Sequence, residues 1–386
     1  MKVLFDHQIF QTQRFGGISR YFVEIMKHLP QEGVEVDLAV KYTFNEYLRD
    51  SGLPCEYNRQ LVNEFLPQYK FRGQKAVVRL LEKYFPKKYP RMMHENYLYM
   101  RQKISAGDFD ILHPTFFDDH FPAFLNKDKP YVLTVHDMIV ELYPEFLNNP
   151  LFIKRKRQLA ENAAHIIAVS ENTKKDIVDL FDIDPNKISV AYHGSSLKET
   201  GSDIALPKRY ILYVGDRRLG YKNFAFFVSS VLPILNEFAD VQIVCTGNVF
   251  TSEEKVFFKN LGINDRVKHI FVSENDLFTI YNKAEMFMYP SYYEGFGIPI
   301  LEAFQSWCPV VLADASCFRE VAGDAALYFD PKSAKQLQNN VRALLTDKEL
   351  RAGMIRKGTE QLEKYSWQKT AHDTANIYRK VLENRR

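Results

Sequence analysis

Residues 286–314, MFMYPSYYEGFGIPILEAFQSWCPVVLAD, read as one strand–loop–helix–strand unit. MFMYPS (286–291) and PVVLAD (309–314) are short and nearly all apolar, as parallel strands covered on both faces are. Pro290 and Ser291 end the first strand, and Pro299 suits the first turn of a helix, where its missing N–H is not needed. The spacing predicts a helix from about Ile298 through Ser306, with Glu294 on the loop and Glu302 one turn inside. Gly295 and Gly297 free the backbone to approach a ligand and leave N–H groups exposed at a helix start, an arrangement suited to an anion.

The same pattern extends in both directions. Before residue 200, apolar runs recur at 3–5, 36–40, 110–114, 131–137, 165–170 and 188–192, separated by amphipathic helical patterns such as Ile18, Tyr21, Phe22, Ile25 and Leu29. At 198–207, KETGSDIALP, polar residues, Gly201 and Pro207 mark a linker. Strands restart at 210–216, 241–247, 268–273, 286–291, 309–314 and 326–330, and the final stretch from Trp367 reads as one helix. The fold class is therefore α/β, with two Rossmann-like doubly wound domains facing each other across a cleft. The two halves share pattern only, with no sequence repeat. Open sheets of this kind bind ligands beyond the carboxyl ends of their strands, so the chemistry is expected on strand-to-helix loops facing the cleft.

Composition sets limits. A chain of 386 residues with 46% hydrophobic content is long enough for two cores. A formal charge of +3 is too small to imply a nucleic-acid partner. The cysteines at 55, 245, 308 and 317 form no CxxC pairing, which argues against zinc or a disulfide framework and suits a reducing compartment. No window has the roughly 20 apolar residues of a membrane span, and MKVLFDHQIF reads as a buried first strand, not a leader; a soluble, cytoplasmic chain is expected.

Other motifs carry two readings each. Glu294 and Glu302 are separated by eight residues, about 12 Å if helical, which fits separate contacts to polyol groups better than one shared bond; the alternative is a capped helix with a solvent-facing Glu302. FGGISRY (15–21) places Gly16 and Gly17 before a helix, either as a phosphate-holding turn or as an ordinary Gly-Gly turn. Neither this motif nor GFGIPI is the GxGxxG fingerprint, so a dinucleotide enzyme is disfavoured. In ILYVGDRRLGYKNF (211–224), Gly215 ends a strand and Arg217, Arg218 and Lys222 follow, either as a phosphate grip or as a solvated basic loop. His136, at the tip of VLTVHDMI (132–139), can touch substrate or be structural. The Asp108/Asp110 and Asp182/Asp184 pairs read as turns, leaving no metal site. Residues 70–103 are locally basic with interleaved aromatics, either a surface for anionic lipid or a solvated hairpin, and Lys154–Arg157 reads as a helix face.

Taken in order, YVGDRRLGYKNF, PSYYEGFGIPILEA, REVAGDAALYFDP and YSWQKTA resemble a retaining glycosyltransferase of family 4 with the GT-B fold, most specifically in the Glu-x7-Glu element of Glu294 and Glu302. FGGISRY, TVHDM and AVSENTKKDI in the first half are similar to family segments. The resemblance implies an acceptor-side domain at 1–200, a nucleotide-sugar domain at 205–368 and a helix at 369–386 crossing back to the first. It implies that Arg217 and Lys222 hold the donor diphosphate, with Arg218 sharing the role because Asp216 follows the strand-end Gly215. Glu302 would hold the ribose, Glu294 and the backbone of Gly295, Phe296, Gly297 and Ile298 the donor sugar, Gly17 the diphosphate, and His136 the transferred sugar. Two further departures from the family pattern are Cys308 in place of glycine and His193-Gly194 in place of Asn-Gly. The implied activity is metal-independent, retaining transfer from a nucleotide-diphosphate sugar, as co-substrate, to a saccharide or lipid-linked acceptor in surface polysaccharide assembly, with no cofactor. The basic segment adds peripheral contact with an anionic membrane at its inner face. A nucleotide-sugar epimerase and a non-catalytic sugar-nucleotide binder stand as alternatives.

Overall fold

The computed structural model describes residues 1–53 and 88–385. Each of the expected apolar runs forms a strand. In the first lobe these are β1 (Lys2–Phe5), β2 (Glu35–Leu38), β3 (Ile111–His113), β4 (Val132–Val135), β5 (His165–Ala168) and β6 (Ile188–Val190). In the second they are β7 (Arg209–Tyr213), β8 (Val241–Cys245), β9 (Val267–His269), β10 (Met286–Tyr289), β11 (Val310–Ala313) and β12 (Ala326–Phe329). Among the described residues all the strand pairings are parallel. The first lobe has the order β2-β1-β3, and a parallel bridge from Leu112 to Tyr131 carries it on into β4-β5-β6. The second lobe has the order β12-β11-β10-β7-β8-β9. In each, the chain starts in the middle, builds to one side and then crosses to the other, so a switch point lies beside β1 and beside β7, where open sheets leave a crevice. β9 is shorter than its apolar run, because its single neighbour β8 ends at Cys245, opposite His269.

Two backbone crossings join the lobes and touch each other. A Cβ on Gly194 would lie 2.3 Å from the Trp367 amide nitrogen, so glycine is what lets the outgoing linker pass the returning chain. The closing helix, Trp367–Glu383, then packs Trp367, Ala371, Ala375 and Tyr378 into the first-lobe core with Phe22, Val132 and Ile167. Ser366 caps it by accepting from the Lys369 amide, and Thr370 donates to the Tyr192 carbonyl. A buried polar chain fixes its register. The Tyr378 hydroxyl lies 2.5 Å from His113 Nδ1, His113 Nε2 lies 2.8 Å from the Thr134 hydroxyl, and that hydroxyl meets Tyr21. Among the described residues no helix is long and apolar enough to cross a membrane.

Burial holds His113 and His136 at about 3 and His193 well below its ordinary value, so all three rings are neutral in the folded chain. The unfolded chain protonates each below about 6.5, so their contribution is complete above that pH and is lost as the pH falls below it, at about 1.4 kcal/mol per unit and ring. Asp6, raised by burial to about 6, acts in the opposite sense but is a single group. The melting temperature is therefore expected to fall steadily between pH 7 and 5 in thermal scans; a flat or rising curve contradicts the buried neutral cluster.

Candidate functional site

The carboxyl ends of the two switch points meet across the cleft. Gly17 opens the helix Gly17–His28, and Ile298 opens the helix Ile298–Gln305. A Cβ placed on Gly17 would be 4.0 Å from Ile298 Cδ1, so the two positive helix ends face the same space. Gly16 precedes the first of these helices with an extended backbone that needs no glycine, although a Cβ there would meet the Gln13 side chain at 2.1 Å, whereas Gly297, capping the second, is left-handed at φ 94° and requires glycine.

The loop before Ile298 is fixed from both lobes. Ser316 donates to the Glu294 carbonyl and accepts from its amide, while Cys317 donates to the carbonyls of Glu294 and Phe296. From the first lobe, Ser170 and Thr173 donate to the Gly295 carbonyl at 2.7 and 3.2 Å. A Cβ on Gly295 would sit 1.6 Å from the His136 carbonyl oxygen, so this glycine admits direct backbone contact between lobes. Glu320 adds a second tie: its carboxylate accepts the amides of Glu171 and Asn172 at the start of the helix Glu171–Phe181.

Both carboxylates of the opening motif are largely buried and paired. Glu294 Oε1 accepts from Lys222 Nζ at 2.6 Å, and that ammonium also lies over the Tyr221 and Tyr289 rings. Glu302 is not solvent-facing. Its Oε1 accepts from Arg20 at 2.7 Å and its Oε2 from the Tyr281 hydroxyl at 3.1 Å. Arg20 also pairs with Glu274 at 2.7 Å and covers Tyr47.

Arg217, expected to grip the diphosphate, is turned inward. Its guanidinium donates to Glu254 at 2.8 Å and to the carbonyls of Thr246 and Asn248, under the Phe250 ring. Its side chain is 1% exposed. The reason is the added residue after the strand: left-handed Gly215 and then Asp216 turn position 217 towards β8. Arg218 takes the outward place, half exposed, and is held bidentately by Asp216. His136 keeps its strand-tip position, packed against Tyr21, Phe22 and His193, and its buried Nε2 has no partner. His193, standing where the pattern has Asn, fills the space between Phe296 and Trp367.

Lys154–Arg157, expected as a helix face, contains one inward side chain, Lys156, which bonds Glu141 and the Asp137 carbonyl. Most of the basic stretch 70–103 lies outside the described residues; within its described part Lys103 pairs with Asp37 and Arg101 covers Phe124. Arg20 and Ser316 are residues that motif reading passed over, and Lys156 is one it takes for part of a helix face. Arg20 had a visible signal: it is a cation within FGGISRY, three residues after Gly17 and so on the same helix side.

Two expected outcomes follow from this geometry. Arg20→Met strands a buried carboxylate and is expected to destabilise by about 3 kcal/mol in chemical denaturation, with Arg20→Met/Glu302→Gln recovering most of the loss; additive effects contradict the pairing. Gly295→Ala drives a methyl into the His136 carbonyl, so the lobes seat less closely and small-angle scattering gives a larger radius of gyration; an unchanged value counts against this contact.

Residues 15–199 match the family model described as Glycosyltransferase Family 4, and residues 198–361 match that of Glycosyl transferases group 1. The O-antigen chain mannosyltransferase RfbU of Salmonella typhimurium is 31% identical over 215 residues, which are 54% of this chain and 59% of that protein. An uncharacterised glycosyltransferase of Methanocaldococcus jannaschii is 24% identical over 95% of both chains. Among solved structures, Anabaena HepE in complex with UDP and glucose superposes with a TM-score of 0.71 at 16% identity, covering 97% of this chain and 98% of that one; at that identity the likeness speaks for the fold.

Proposed function

Since the chain belongs to family 4 of the glycosyltransferases, with the GT-B fold, we propose that it transfers a sugar from a nucleotide-diphosphate donor to a saccharide acceptor, with retention at the anomeric carbon. The observation that carries this reading is the meeting of two helix N-termini with Lys222–Glu294 on one side and Arg20–Glu302 on the other. A leaving diphosphate needs positive charge that is already in place. Lys222, the outward Arg218 and the amides at Gly17 and Ile298 supply it, and they stabilise the charge that grows as the glycosidic bond breaks. Glu294 takes the hydroxyls of the transferred sugar and Glu302 those of the ribose, each exchanging part of its present pairing for substrate. The neutral His136, with its free Nε2, faces the sugar as a hydrogen-bonding group, not as a charged acid. The acceptor hydroxyl approaches from the first lobe and passes its proton to the departing phosphate. Burial of the lobe contact keeps water from competing.

RfbU is named for mannose transfer in O-antigen chains, so nucleotide-linked mannose is the first donor to test and a surface polysaccharide chain the first acceptor. A thermal-shift panel of nucleotide sugars is expected to raise the melting temperature for one donor class. With that donor and acceptor, Lys222→Ala and Glu294→Ala are each expected to lower turnover about 100-fold or more while remaining folded. Undiminished transfer by either variant would falsify the assignment, and a new epimer formed from donor alone would replace it with an epimerase.

A further inference from the structure

We propose that Lys156 is a positioning residue: its ammonium holds the turn after β4 against which the Gly295 loop rests, and so sets the site from behind. The role rests on the transfer reading above. Lys156 lies in the helix Pro150–Asn162, with its side chain 1% exposed and that of its partner Glu141 4% exposed. Its Nζ lies 3.0 Å from Glu141 Oε2 and 2.6 Å from the Asp137 carbonyl oxygen, between the rings of Phe117 and Phe152. The second oxygen of Glu141 is buried without a partner.

Stability alone does not account for such a pair. Removing two charges from water carries a large desolvation cost, and apolar pairs of similar volume commonly serve a fold as well or better. Between two phenylalanines a methionine would fill the same space. What an ammonium adds is the bond to the Asp137 carbonyl. That carbonyl belongs to the turn whose preceding residue, His136, presents its own carbonyl to Gly295, and Asp137 Cα would lie 3.3 Å from a Cβ there. Gly295 is joined directly to Glu294, which holds Lys222. The amine therefore acts through one backbone turn on the proposed sugar and diphosphate contacts, and touches neither.

The test uses the full chain. Replacing both partners, Lys156→Met/Glu141→Leu, avoids leaving one charge buried alone and is expected to keep the wild-type melting temperature within a few degrees. Its kcat is expected to fall roughly 10- to 100-fold, with the donor KM changing less than about threefold, as a misplaced but intact site behaves. Glu141→Asp keeps a counter-charge for the ammonium on the Asp137 carbonyl and is expected to stay within about threefold of wild type. A folded double variant with kcat within about twofold of wild type overturns the proposal, as does a Glu141→Asp variant as impaired as the double one. The His136 imidazole resonances, read by NMR, give an answer that needs no transfer assay. They are expected to move in the double variant and to hold in Glu141→Asp; unmoved resonances in the double variant overturn the proposal. A wild-type chain that transfers sugar from no nucleotide donor defeats the proposed function instead, and the resonances then decide the role of Lys156.

Discussion

Two carboxylates placed in a cleft, nearly out of water, must each be given a counter-charge, and the rest of this structure is arranged around that demand. A buried carboxylate left alone is strongly disfavoured. Glu294 finds Lys222 within its own lobe, but Glu302 finds Arg20 on the first helix of the other lobe. The second pairing makes the electrostatics of the cleft depend on how the lobes sit, so binding and closure share the same charges. Polyol hydroxyls are suited to such a place, because they replace hydrogen bonds to a carboxylate without adding charge.

Around these pairs the lobes touch mainly through backbone. Gly295 lies on the His136 carbonyl, its own carbonyl accepts from Ser170 and Thr173, and Glu320 accepts two amides at a helix start. Contacts of this kind tolerate little displacement, since glycine leaves no side chain to adjust. Gly194 does the same at the crossing of the two connecting strands. A loop held this closely carries its side chains to fixed places, which is what charge stabilisation in a reaction requires.

The cations divide by depth. Arg217 is committed to Glu254 and two carbonyls and braces the loop after β7, leaving Lys222 and Arg218 on its outer side. Lys156 braces the turn after β4 in a comparable way. Three imidazoles of the first lobe, by contrast, are kept neutral: His113 and His193 help to seat the closing helix, and the partly buried His136 stands between that core and the cleft.

Period, punctuation and glycine placement made the fold legible. Runs such as VLF and HIIA, apolar at every position, have the pattern of parallel strands covered on both faces, and the pause at 198–207 separates two such sheets. Glu294, Gly297 and Glu302 could be placed on loop, cap and helix because Pro299 fixes the helix start. Side-chain direction was not legible. Arg217 and Arg218 are adjacent cations, and only folding turns one inward to Glu254 and the Thr246 carbonyl and leaves the other outside with Asp216. Lys156 looks like its neighbours in a basic run until Phe117, Glu141 and Asp137 close over it. Sequence by itself determined the two sheets and where their loops lie, because those depend on local periodicity and backbone allowance. Tertiary structure alone decided which charges meet, because Arg20 and Glu302 are 282 residues apart and a charge is paired only by what folding brings beside it.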